Sequence, residues 1–316
     1  MINTTNEGLG AENHTEKLSS VAEYLFQANS LTLIRHLIPL TIAVQQHRGA
    51  SLALFEGDIS FEQQVTSLQD EISVRLKSVE LLNVAYGHAM SEKQWQEVNH
   101  EWLALVSQWR EDSVITNFEF HCKLIEKIIR ITWQLVLDAN SFFSSRLIDS
   151  KRSNISFLNS SNEGPAVTPS FNDIDHHILV QLVLKDVPRA IETIAKIRGL
   201  ATHATVSKVC DETHQTRLIY LMQTLNYEKE KLRSIPRSLR KETLQGLPTL
   251  METLLHEYKL EQLLKMVNTQ VIIPGELNLE SHAIFDLATD IIEVYSAVID
   301  QGVVLIQKNI DASLLG

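Results

Sequence analysis

The chain has 316 residues, long enough to bury about three quarters of its unfolded surface, with 44% hydrophobic residues to form a core. Two cysteines exclude a secreted disulfide scaffold and a four-cysteine zinc site. A balance of 28 basic against 39 acidic residues, formal charge -11, argues against general affinity for nucleic acid or an anionic membrane.

Met1 to His14 has neither the basic region nor the apolar core of a signal peptide, and His36, Gln45, His47 and Arg48 interrupt the most apolar early stretch. A soluble, cytoplasmic protein is expected. Only 11 glycines and 7 prolines occur, and between them apolar residues recur at threes and fours. The periodicity predicts helices over about 18–57, 60–88, 91–112, 113–147, 173–208, 211–234, 237–268 and 277–312. Pro39, inside the first, predicts a kink or a restart, whereas Pro188 and Pro248 suit first turns or bends. Gly87 ends the second helix and Ser91 caps the third. On that third helix Trp95, Trp102 and Trp109 recur every seventh residue; core packing is the first reading and a homo-oligomer contact the second.

From Ser150 to Asn172 the text SKRSNISFLNSSNEGPAVTPSFN has no period and gathers Ser, Asn, Gly and Pro, so it reads as a connector. Expected are a first four-helix half over 18–150, a flexible connector over 151–172 and a second four-helix half over 173–312: an all-α, elongated assembly of two related four-helix bundles. An approximate internal repeat supports the duplication. LIRHLIPLTIAVQQHRGASLALFEGD, Leu33 to Asp58, aligns with LKDVPRAIETIAKIRGLATHATVSKVCD, Leu184 to Asp211, when Arg48-Gly49 is set on Arg198-Gly199.

Both arginines interrupt apolar stripes. Ile34, Leu37, Thr41, Val44, Arg48, Leu52 and Phe55 share one helical face, as do Leu184, Val187, Ile191, Ile194, Arg198, Ala201 and Thr205. Neither arginine has a carboxylate one turn away. A buried guanidinium left uncompensated is costly, so an anion, a carboxylate from another helix, or water must complete each environment. Arginine's planar fork suits two oxygens of nitrate, nitrite or a carboxylate. Arg189, flanked by Asp186 and Glu192 at helical spacing, reads instead as part of a solvated ion-pair face. Gly49, Ala50, Ser51 and Ala53, like Gly199, Ala201 and Ala204, slim their helices for close packing, with room for a ligand as a secondary consequence.

On LTIAVQQHRGASLALFEGD, the following FEQQVTSLQDEI and the later AIETIAKIRGLATHA, the chain resembles the nitrate- and nitrite-sensing NIT domain family over most of residues 25–312. The resemblance implies paired helical bundles that bind nitrate or nitrite between helices through arginines and signal to an output region. It makes Arg48 and Arg198 the leading anion contacts. It extends to His47, which stands where a second charged contact is expected; Arg130 and Arg146, placed on the last helix of the first half and not by a motif, are further candidate contacts whose alternative is a solvent-facing position. With no evident output module, the expected partner is a separate regulatory protein. The alternative is a helical protein–protein interaction adaptor whose arginines pair with acidic residues and bind no small anion.

Other chemistries find little support. His203, Cys210 and His214 would share a face only if the helix ran through Asp211, so no metal is expected. No GxSxG, HExxH, GxxxxGK or strand-associated GxGxxG occurs, and no catalytic residue or cofactor is assigned. The basic run from Lys229 to Lys241, diluted by Glu228, Glu230 and Glu242, reads as a charged hairpin surface.

Overall fold

The computed structural model describes residues 7–55, 57–111, 113–155, 171–255, 257–273 and 281–315, with side chains left undescribed near several of these ends. Among the described residues every regular element is helical. The first half comprises α1 (Glu7–Phe55), α2 (Glu62–Ala85), α3 (Glu92–Gln108) and α4 (Val114–Ile155). The second opens with α5 (Phe171–Gln181), which passes through a π-turn (Leu182–Asp186) into α6 (Val187–Ser207). Then follow α7 (Glu212–Ser234), the short α8 (Lys241–Gln245), α9 (Pro248–Leu255) and α10 (Glu257–Val267), a second π-turn (Asn268–Ile272) and α11 (Ser281–Leu315). The assembly is an elongated all-α one.

Local chemistry explains most boundaries. Ser91 Oγ accepts from the Gln94 amide at the start of α3, and Gly87 at φ +71° turns the chain after α2. The helix runs unbroken through Pro39, so no restart occurs there. Pro188 lies one residue past the π-turn, the irregularity in the helical ladder that accommodates it, and Pro248 opens α9, where a missing N–H costs little. The long helix expected over 237–268 is instead interrupted by Gly246 and Pro248 between α8 and α9, and the π-turn after Val267 carries it on to Ile272, where Ile273 turns extended. Of the connector expected over 151–172, residues 151–155 belong to α4 and 171–172 to α5; residues 156–170 lie outside the described ones.

Helix α1 packs along α2 and α4, α6 packs along α7 and α11, and α1 also meets both α6 and α11. The larger core accordingly crosses the two halves, joining Leu37, Val44, Trp102 and Ile128 to Leu182, Val183, Val298 and Ile306. A second core unites Leu52 and Phe118 with Ile197, Leu200, Leu263 and Ile284. The two apolar stripes read from the sequence are buried from Ile34 to Leu52 and from Leu184 to Thr205. Trp95, Trp102 and Trp109 are buried in the larger core.

Close approach depends on small residues at defined points. A Cβ on Gly199 would stand 3.3 Å from Leu52 Cδ1 and from Phe118 Cε2, where α6 meets α1 and α4. At Gly302 it would overlap Val183 Cγ2 and stand 2.9 Å from Cγ1, on the π-turn. Val183 is β-branched and buried, so neither methyl can swing away freely. Gly302→Ala should therefore destabilise the fold by roughly 1–2 kcal/mol, the overpacking outweighing the gain in helix propensity. Urea denaturation checks this; a variant more stable than the parent would show that α11 can lift off the π-turn without cost.

Candidate anion site

Four segments meet around a cavity of about 200 Å³. α1 contributes Gln45, Arg48, Gly49, Leu52 and Ala53; the loop and short turn after it contribute Asp58 and Phe61. From α6 come Ala195, Arg198, Gly199, Thr202, His203 and Val206, and from α11 Phe285 and Asp286. The structure thus brings Arg48 and Arg198 to one cavity.

Their electrostatic surroundings differ. Arg48 is 1% exposed and grips Glu192 with both arms, Nη1 to Oε1 at 2.7 Å and Nη2 to Oε2 at 3.1 Å. Gln45 Nε2 donates to the same carboxylate at 2.9 Å, and Lys196 Nζ lies 3.7 Å away. Arg48 also sits over Phe118 and donates to Cys122 Sγ at 3.1 Å. Burial works against its charge, but Glu192 more than offsets this and raises the pKa. Such a bidentate pair satisfies a guanidinium as fully as protein groups can.

Arg198 has no such partner. Its Nη1 donates to Thr289 Oγ1 at 2.9 Å and its Cζ lies 4.8 Å from the Phe285 ring centroid. Among the described residues no carboxylate comes within ion-pair distance of it, though the side chain is only 8% exposed. Burial, then the like charge of Arg48, push its pKa down to about 10 against the opposing pull of Glu192, leaving it charged at neutral pH. Thr202 Oγ1, also in the cavity wall, is buried and has no hydrogen-bond partner among the described residues. Asp58 and Asp286 are exposed at the rim, Asp58 accepting from Ser60. Arg48, Lys196 and Arg198 thus surround one buried carboxylate; the exposed Glu126 pairs with Lys196 at 2.5 Å. The buried charge is positive in excess.

His47 is not brought to this site. One residue along the helix from Arg48 it points some 100° away, among α1, α3 and α4 side chains. Fully buried, it lies edge-on to Trp102 and Trp109. Its hydrogen bonds fix its protons. Asn117 O accepts from His121 Nδ1 at 2.8 Å, so His121 Nε2 must accept from His47 Nδ1 at 2.7 Å. His47 Nε2 is then free to accept from Gln69 Nε2 at 3.2 Å. Both rings are neutral in this chain, and burial lowers the His47 pKa to about 4 and that of His121 well below the usual value.

A buried neutral histidine links folding to pH. The unfolded chain takes up the His47 proton below about pH 6.5 while the folded chain resists until about 4, so stability is full above that window and falls as pH drops through it. The expected loss is about 3 kcal/mol from His47, with His121 adding in the same direction. Urea titrations between pH 7 and 4 check this. His47→Gln should flatten the slope; an unchanged slope would assign it to other groups.

Arg130 is exposed on α4 and does not line the cavity. The Arg146 side chain lies outside the described residues. Arg189 is exposed, but its expected partners are taken: Asp186 by Lys231 at 2.7 Å and Glu192 by Arg48. Lys208 at φ +58° ends α6, and Asp211 caps α7 by accepting from the His214 amide. The helix therefore does not run from His203 to His214; their rings stack at 5.3 Å, and among the described residues no cluster suited to a metal ion occurs. The basic run is tied down by ion pairs, with Lys229 near Glu257 and Glu261 and Arg240 on Asp175.

Glu192 is the site residue that sequence reasoning missed. Its spacing from Arg189 explained it too readily, whereas its place in a run of inward-facing positions, beside Ile191 and Ile194, was the available signal. Thr202, Phe285 and Thr289 carry no sequence signal of their own. Compared with models of known protein families, with curated proteins and with solved structures, the chain finds no match.

Proposed function

We propose that this chain is a nitrate- or nitrite-responsive regulatory protein of the NIT type, acting in the cytoplasm on a separate partner protein. The observation that carries this reading is Arg198: a buried guanidinium on a cavity wall with no carboxylate of the described residues beside it, while its counterpart Arg48 is paired. A small planar anion placed there supplies the charge that burial withholds and meets the arginine fork with two oxygens. Thr202 Oγ1 provides a further donor. In this reading the halves are related four-helix units and the two arginines equivalent positions, which their shared cavity supports.

The ligand acts by shifting a population of helix arrangements. Helices α1, α6 and α11 converge on the cavity, so an anion that offsets repulsion between Arg48 and Arg198 favours a closer or rotated arrangement. Partner affinity and anion affinity must then be coupled reciprocally. Calorimetric titration of nitrate and nitrite in chloride-free buffer tests the reading: saturable uptake by the parent, lost in both Arg48→Ala and Arg198→Ala, is expected. A parent that takes up neither anion would overturn it. The adaptor reading is favoured by one observation, the complete Arg48–Glu192 pair, and predicts that outcome.

A further inference from the structure

The cavity is larger than nitrate needs. At about 200 Å³ it exceeds the 150 Å³ scale of a cavity that accepts a benzene ring. Its polar groups gather around Arg198, Arg48 and Thr202, while Leu52, Ala53, Phe61, Val206 and Phe285 line it with hydrocarbon. A bare inorganic anion on Arg198 would leave that hydrocarbon facing water.

Taking Arg198 as the anion anchor, the reading given above, we propose that the cavity binds organic monocarboxylates with an apolar body of about six to nine non-hydrogen atoms. The carboxylate sits on Arg198 and Thr202 and the body lies against the apolar wall. Arg198 supplies one positive charge that no carboxylate of the described residues pairs, and the exposed Asp58 and Asp286 at the rim oppose a second negative charge on the ligand. Each methylene buried against the wall adds about a fourfold gain in affinity, so a ring-sized body outweighs the loss of a third anionic oxygen.

Benzoate, formate, nitrate, benzamide and phthalate are titrated calorimetrically into the full chain in chloride-free buffer. Benzoate should bind at least tenfold tighter than formate or nitrate, with the neutral benzamide and the dianionic phthalate both weaker than benzoate. Ala53→Phe and, at a half-exposed position that tolerates bulk, Val206→Phe should each weaken benzoate at least tenfold and weaken nitrate by a much smaller factor. Nitrate binding as tightly as benzoate would overturn the proposal while leaving the Arg198 anchor intact. Benzamide equal to benzoate would also overturn it, reducing the site to an apolar cavity. Uptake of no anion at all would remove the anchor and the proposal together.

Discussion

Glu192→Ala should destabilise the fold by roughly 3–5 kcal/mol, the largest effect expected of any single substitution near the cavity. The carboxylate is 4% exposed and is the counter-ion of Arg48, which is 1% exposed. Its removal leaves Arg48, Arg198 and Lys196 facing one another without a buried negative charge, and Gln45 without its acceptor. The loss comes from the stranded charge and not from the pair's own attraction, since two desolvated ions gain little over hydrocarbon of the same shape. Arg48→Met combined with Glu192→Leu should accordingly recover most of the stability lost by Glu192→Ala, the two changes being strongly non-additive. Formate or nitrate added to Glu192→Ala should raise its midpoint in urea, because the vacated carboxylate position takes an anion. Additivity in the double variant, or a loss under about 1 kcal/mol, would show that water already reaches Arg48.

Arg198→Met carries the second large effect, and its sign depends on the anion. In anion-free buffer the variant should be at least as stable as the parent: the charge removed is desolvated and unpaired, and Thr289 Oγ1 keeps its bond to Phe285 O. The cation–π contact with Phe285 is lost, a contribution of about 1 kcal/mol that the relieved burial offsets. With nitrate at about a hundred times its dissociation constant the parent should gain about 2.7 kcal/mol, the variant nothing. The order of stability of the two proteins therefore reverses between the two buffers. Thermal or urea denaturation with and without nitrate reads this directly. A parallel response in both proteins would place any bound anion away from Arg198.

The helices were legible because 3.6-residue periodicity reports burial on one face, and the stripes from Ile34 to Leu52 and Leu184 to Thr205 are buried as read. Turn chemistry was legible where one residue decides it, as with Ser91 and Gly87. The region 237–268 was not: apolar residues keep helical spacing across Gly246 and Pro248, and periodicity does not register a break between short helices. Nor was the core that joins the halves. Packing between distant helices, such as places Val44 and Val303 in one cluster, leaves no trace in local spacing.

The site was half legible. A charged residue inside an apolar stripe is visible in one dimension, and both arginines do meet at one cavity. What completes each charge lies on another helix. Glu192 could be assigned to Arg189 by spacing alone, and only the packing of α6 against α1 turns it toward Arg48. His47 shows the converse: adjacency to Arg48 in sequence implied a shared role, but neighbours along a helix face different ways, and His47 belongs with His121 and Gln69.

The most direct measurement is a pair of crystal structures, one grown free of small anions and one soaked in nitrate. Nitrate oxygens are expected within hydrogen-bond distance of Arg198 in the cavity between α1, α6 and α11, with Arg198 unpaired in the anion-free crystal and the three helices shifted between the two. Arg198 paired with a carboxylate in both crystals, or a cavity without nitrate at saturating concentration, would contradict the proposed function.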